Sequence, residues 1–88
     1  MRLDIFLKLA RLAMRRAVAQ EMCEAGAVKV NSHRAKSAHE VRENDLISIR
    51  GRGRETTVRV LKVPSKPPSK RDAHALYEIV KVETYELV

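Results

Sequence analysis

The amino-acid sequence predicts an α+β fold, two N-terminal helices followed by several strands, and three features of the pattern carry that reading. Apolar residues recur at helical spacing from Leu3 to about Ala25, and beyond Gly26 the period changes from 3.6 to 2. Turn-forming Gly, Asn and Pro residues then cut the remainder into strand-length pieces. At 88 residues the chain holds one domain, and a domain this small buries only about 60% of its unfolded surface, which leaves little room for a deep cleft. A hydrophobic fraction of 44% with 33% charged residues argues against wholesale disorder.

The first helix is expected over Leu3–Leu12. Leu3, Phe6, Leu7 and Ala10 fall on one side with Ile5, Leu9 and Leu12 adjoining, which leaves Asp4, Lys8 and Arg11 as a narrow wet stripe. The second helix is expected from about Arg15 to Ala25, with Val18, Met22 and Ala25 as an apolar stripe extended by Ala19 and Cys23, and Gly26 as terminator. The two helices meet at a tight corner that carries Arg15 and Arg16. Val28 and Val30 then alternate with Lys29 and Asn31 as a short strand, Asn31-Ser32 is a turn, and Ala35-Lys36 begins the returning segment. Glu43-Asn44-Asp45 makes a turn into a strand over Leu46–Arg50, and Gly51-Arg52-Gly53 links it to a strand over Thr56–Val63. Pro64–Arg71 holds all three prolines and reads as an exposed loop. A helical turn near Asp72–Leu76 and a strand over Tyr77–Val82 close the pattern.

Net charge is the outlying quantity. Eighteen Lys plus Arg against 11 Asp plus Glu give +7, and a domain this basic seeks a polyanion. A membrane is the weaker choice, because no apolar run approaches the roughly 18–20 residues of a span and the N-terminus lacks the apolar stretch of a signal peptide. A cytoplasmic location is expected. The single cysteine, Cys23, forms no internal disulfide and reads as a small core residue. Together with the scattered His33, His39 and His74 it makes no zinc signature, and neither metal nor cofactor is expected.

The cations are partitioned. Residues 1–20 carry Arg2, Lys8, Arg11, Arg15 and Arg16 against Asp4 alone; residues 50–71 carry Arg50, Arg52, Arg54, Arg59, Lys62, Lys66, Lys70 and Arg71 against Glu55 alone. Lysines of the second group also keep a small protein soluble, so a merely solvated face explains them equally well. Arg15 and Arg16 are harder to dismiss. Cations at a helix N-terminus oppose the macrodipole at about 0.3–1 kcal/mol each, and neither Ala13 nor Met14 can cap the helix. The compensating gain is phosphate: arginine forks match its oxygens, and free first-turn amides accept anions. For Asp4 the simplest role is an i, i+4 pair with Lys8; alternatives are orienting the neighbouring arginines or excluding phosphate from one subsite. With Phe6, Tyr77 and Tyr85 as the only aromatics, recognition by shape and backbone fits better than base stacking on exposed rings.

The ordered series Arg2-Leu3-Asp4-Ile5-Phe6-Leu7, Arg11, Arg15-Arg16, Ala19, Gly26 to Asn31, Lys36, Val41, Asp45 and Leu46 to Ile49 resembles the RNA-binding domain first described in small-subunit ribosomal protein four, the S-four domain. Arg15 stands where that pattern usually has serine, and Ser32 where it has glycine. The resemblance implies two helices packed on a small, mostly antiparallel sheet over residues 1–63, with residues 64–88 as a basic linker and C-terminal extension on the same domain. It implies RNA contacts at Arg2, Lys8, Arg11, Arg15, Arg16, Asn31 and Lys36, and Asp4 and Arg50 complete the candidate set. Free-standing members of this length fall into ribosome-quality-control and heat-shock groups. By that resemblance the partners are ribosomal RNA of the large subunit, peptidyl-tRNA and a nascent-chain tailing factor on the same subunit. Nothing demands a dimer, so a monomer is expected. Two competing readings are an RNA-modifying enzyme, for which no nucleophile–base pair or cofactor loop is visible, and a general basic nucleic-acid binder.

Overall fold

The computed structural model describes residues 1–85. Helix α1 covers Leu3–Leu9 and α2 covers Arg16–Glu24; strands β1 (Val28–Val30), β2 (His33–Arg34), β3 (Leu46–Gly51) and β4 (Arg54–Val60) follow. A short helix α3 (Lys70–Ala73), a 3-10 turn (His74–Leu76) and strand β5 (Tyr77–Thr84) complete the described chain. The strands form one sheet in the order β2-β1-β3-β4-β5, with every neighbouring pair antiparallel. The α+β architecture expected from the period change is the one observed.

The core lies between the two long helices and one face of the sheet. Leu3, Phe6 and Leu7 of α1 and Ala19 and Cys23 of α2 are buried with Val28, Val30, Ile47, Val58 and Val60. Burying each large apolar side chain contributes about 1.5–3 kcal/mol. Ala19 and Cys23 are small where α2 meets α1, so the helices can approach closely.

Helix α1 is shorter than its periodicity suggests. Ala10 caps it, and Arg11 takes a left-handed backbone (φ 60°). The amides of Leu12 and Ala13 then both donate to the Leu7 carbonyl, at 2.9 and 3.1 Å, closing the turn. A corner spanning residues 10–15 therefore replaces the last expected helical turn. The apolar stripe of α2 is also rotated: Val18 and Ala25 are exposed while Ala19 and Cys23 are buried. At 100° per residue, Arg16, Gln20, Ala19 and Cys23 share one arc and Val18 lies opposite. The polar partners on that arc, described below, set the rotation.

Asn31 and Ser32 both have positive φ (51° and 72°) and form the two-residue turn between β1 and β2. Pairing starts directly at His33, so the returning strand is His33–Arg34 and not the expected Ala35-Lys36. The β3–β4 hairpin is likewise tighter than expected: Gly51 pairs with Arg54, Gly53 takes φ 70°, and β4 runs over Arg54–Val60 instead of reaching Val63. Gly26 (φ 74°) ends α2, and a Cβ there would lie 3.3 Å from the Arg34 guanidinium carbon. That guanidinium donates to the Glu24 carbonyl at 2.6 Å, satisfying one of the last carbonyls of α2.

The C-terminal part joins the same sheet. Leu61 and Lys62 donate their amides to the Leu76 carbonyl, Leu76 is buried, and β5 pairs along β4 with a register shift beside Thr57 and Val58. The Ser69 hydroxyl accepts from the Asp72 amide at 3.2 Å and starts α3 two residues before the expected turn. The end of the expected 64–88 extension, residues 86–88, lies outside the described residues.

Candidate nucleic-acid interface

Asp4 is the one buried charged residue of the described chain, with no solvent exposure, and it belongs to no wet stripe. Lys8 is not among its partners. Its carboxylate instead accepts from Arg2 Nε and Nη2 (both 3.2 Å), Arg16 Nε (3.1 Å), Gln20 Nε2 (2.9 Å) and the Ile5 amide (2.8 Å). The expected i, i+4 pair is thus replaced by a cradle of five hydrogen bonds from four residues, spanning both helices. Desolvation pushes the Asp4 pKa upward and is the largest single influence. The hydrogen bonds from Gln20, Arg2, Arg16 and Ile5 together outweigh it and hold the group at about 2, below the ordinary 3.8. Asp4 is therefore a fixed anion, and its alternative expected role, orienting the arginines, is the one its geometry performs.

The arginines it holds remain accessible. Arg2 and Arg16 are each about half exposed, at 43% and 50% of their side-chain surface. Each engages Asp4 through part of its fork only, which leaves guanidinium N–H groups directed elsewhere. Arg2 is also fixed through its backbone, which bridges to Glu40, while the next two amides, of Leu3 and Asp4, donate to the carbonyls of His39 and Ser37. Arg15 is the extended N-cap residue of α2, and no side chain caps that helix. First-turn amides beside Arg15 and Arg16, with Arg2 held on the same carboxylate as Arg16, suit an anion with several acceptor oxygens, such as a phosphate. Lys8 and Arg11 are exposed, and with Leu9, Ala13, Met14, Pro67 and Pro68 they line a groove of about 480 Å³ at the α1–α2 corner.

Lys36 lies on the other flank. It lines a groove of about 580 Å³ with Arg2, Arg34, Cys23 and Ser37 among others, so Arg2 borders both the anion site and this groove. Burial pushes the Cys23 thiol up, which keeps it protonated and unreactive. Asn31 has a structural duty: its side-chain oxygen accepts from the Leu46 amide at 3.0 Å and its nitrogen donates to Asp45 at 3.1 Å, locking the β1–β2 turn to the start of β3. Arg50 stands apart. It lies at the C-terminal end of α2, beside Ala27, Lys29, Ser48 and Glu55, and its guanidinium sits 5.2 Å from the Tyr85 ring centroid.

The structure thus joins Arg2, Asp4 and Arg16, with Arg15 at the cap beside Arg16, places Lys8 and Arg11 together on a separate groove, sets Lys36 on a groove with Arg2, and leaves Asn31 and Arg50 outside. Sequence reasoning missed Gln20 and Arg34. Gln20 carries a usable signal, since it lies one turn after Arg16 on the same arc of α2; Arg34 carries none, because its partner is a backbone carbonyl reached only in the folded chain.

Residues 1–47 match the S4 domain family model. The chain is 42% identical to the RQC P-site tRNA stabilizing factor of Halalkalibacterium halodurans, over 94% of this chain and 93% of that protein. It is 40% identical to the protein of the same name from Streptococcus pneumoniae, over 91% and 90%. Among solved structures, the trimeric Heat Shock Protein 15 of Vibrio cholerae superposes with a TM-score of 0.83 at 31% identity, covering 91% of this chain and 81% of that one. The buried Asp4 with its Arg2 and Arg16 arms therefore sits in a chain that belongs to the S4 domain family.

Proposed function

We propose that the chain is a non-catalytic RNA-binding factor of translation that holds P-site tRNA on obstructed large ribosomal subunits, contacting ribosomal RNA and peptidyl-tRNA while a tailing factor extends the nascent chain. The observation that carries the reading is the Asp4-anchored pair Arg2 and Arg16 beside the uncapped start of α2. Two pre-oriented guanidinium forks and free amides suit a folded RNA backbone, whose phosphates lie at fixed spacing. The relatives' name, P-site tRNA stabilizing factor, selects tRNA and ribosome-associated quality control within that class.

The protein acts as a monomer in this reading, unlike the trimeric Vibrio cholerae relative, and it works in the cytoplasm. No helix among the described residues is long and apolar enough to cross a membrane. Likeness to Heat Shock Protein 15 favours one second reading, a heat-shock factor of the ribosome. Sedimentation from unstressed and translation-stalled cells separates the two: the quality-control reading expects the protein on large subunits that carry peptidyl-tRNA. Arg16→Glu abolishes co-sedimentation while the fold persists. Full retention on subunits in that variant would move the site elsewhere.

A further inference from the structure

The groove between the α1–α2 corner and the Pro67-Pro68 bend has a chemistry that phosphate contacts alone do not use. Met14 projects there at 88% exposure, more than any other large apolar side chain of the described residues. Its neighbours in the groove are half-buried Leu9, buried Ala13 and the two prolines. The cations Lys8 and Arg11 share the lining, and no carboxylate does. A volume of about 480 Å³ lined by apolar side chains and by two cations with no carboxylate suits a body that has an apolar face and carries anions beside it. A duplex cannot present that shape, because its bases are stacked inside the backbone. A nucleotide displaced from the stack can.

We propose that this groove takes one unpaired nucleotide of the bound RNA, its base against Met14, Leu9 and the Pro67-Pro68 rings and its flanking phosphates on Lys8 and Arg11. Thioether and proline surfaces replace the exposed aromatic rings that this chain lacks, since each offers an apolar, polarisable face to a base. The inference rests on the RNA-binding reading above and deepens it: Arg2, Arg15 and Arg16 hold backbone of any sequence, and the groove selects for a break in pairing. It also assigns Pro67-Pro68 a role as the far wall of a site built on the helices.

The test compares three RNAs at fixed salt: a paired hairpin, the same hairpin with one bulged nucleotide, and one whose bulged nucleotide is abasic. The wild-type protein is expected to bind the bulged RNA about tenfold more tightly than the other two, within the range of one stacked base. Met14→Ser removes that preference and leaves affinity for the paired hairpin unchanged; Met14 is solvent-exposed, so the substitution does not reach the core. The Met14 methyl resonance moves upfield on adding the bulged RNA and stays in place with the abasic one. Equal affinity for all three RNAs, a preference that survives Met14→Ser, or an unmoved Met14 methyl in the bound state would overturn the groove as a nucleotide site, the last result leaving Met14 to a protein partner. Wild-type protein that binds none of the RNAs would overturn the RNA-binding reading itself, and this inference with it.

Discussion

Two regions of this small protein are comparably rich in arginine, and they are built differently. At the α1–α2 corner, Arg2 and Arg16 are tied to one buried carboxylate that also takes Gln20 and the Ile5 amide. Along β3 and β4, Arg50 near the hairpin leans on Tyr85, and Arg59 at the far end of β4 pairs with the exposed Glu78 at 3.0 Å. The first arrangement costs desolvation of a charge and fixes two forks in space; the second is a surface pairing worth about 0–1 kcal/mol that any rotamer change dissolves. Charge density alone does not distinguish a site. Pre-orientation by a buried counter-charge does.

The sharpest way to break this contrast is to reverse one held fork. Arg16→Glu removes a charge-assisted contact and adds repulsion to phosphate, and it should weaken large-subunit or tRNA binding by at least about 3 kcal/mol, roughly a hundredfold. Arg16→Ala should lose most of the same affinity while Asp4 keeps its other donors, and a melting curve close to wild type would separate binding from folding. Equal loss from Arg59→Glu would show that the corner is not special.

Next in size is the anchor. Asp4→Asn leaves amide hydrogens facing the donors of Arg2, Arg16 and Gln20, and should cost about 2 kcal/mol of stability in a denaturant titration. The pH dependence has a definite sign. The folded pKa of Asp4, about 2, lies below its ordinary 3.8, so its contribution is fully present above about pH 4 and is lost as pH falls from 4 toward 2. The shift corresponds to about 2 kcal/mol, and stability of the Asn variant should fall correspondingly less over that window. Identical acid profiles for the two proteins would mean the anchor is not ionised as described.

How far this contrast could be read in advance differs by residue. The helices, the Asn31-Ser32 turn and the basic corner are local matters of period, turn chemistry and composition, and they are visible in the sequence. Burial of Asp4 is not, because an aspartate among Lys8 and Arg11 on one helix looks solvated until Arg16 and Gln20 arrive from another. The end of α1 at Leu9 has no sequence mark either: Arg11 adopts the left-handed conformation that glycine usually signals. The rotation of α2 that exposes Val18 follows from the same buried carboxylate, so one non-local polar cluster accounts for several local misreadings.

Between the two regions lies the α2 terminus, where Gly26→Ala offers an intermediate effect. The left-handed φ of 74° disfavours a Cβ, and the Arg34 guanidinium 3.3 Å away would have to shift from its bond to Glu24. A loss of about 1 kcal/mol is expected. RNA affinity should hold, because Arg15 and Arg16 lie at the other end of the helix. A drop in affinity beyond the change in stability would mean that Arg34, which lines the Lys36 groove with Arg2, belongs to the interface.

The smallest expected effect tests the comparison from its other side. Arg50→Ala removes a cation over the Tyr85 ring, an exposed contact worth about 0.5–1 kcal/mol, and leaves the Tyr85 hydroxyl bonded to Glu55 at 2.9 Å. Binding to RNA should change by no more than the general electrostatic effect of one charge, seen as a slightly shallower salt dependence. A fork that is free to rotate gives up rotamer freedom when it meets a phosphate, whereas Arg2 and Arg16 have given it up on folding. If Arg50→Ala weakened binding as much as Arg16→Ala, the ordering entropy would be too small to matter, and the hairpin end would be part of the RNA surface on charge alone.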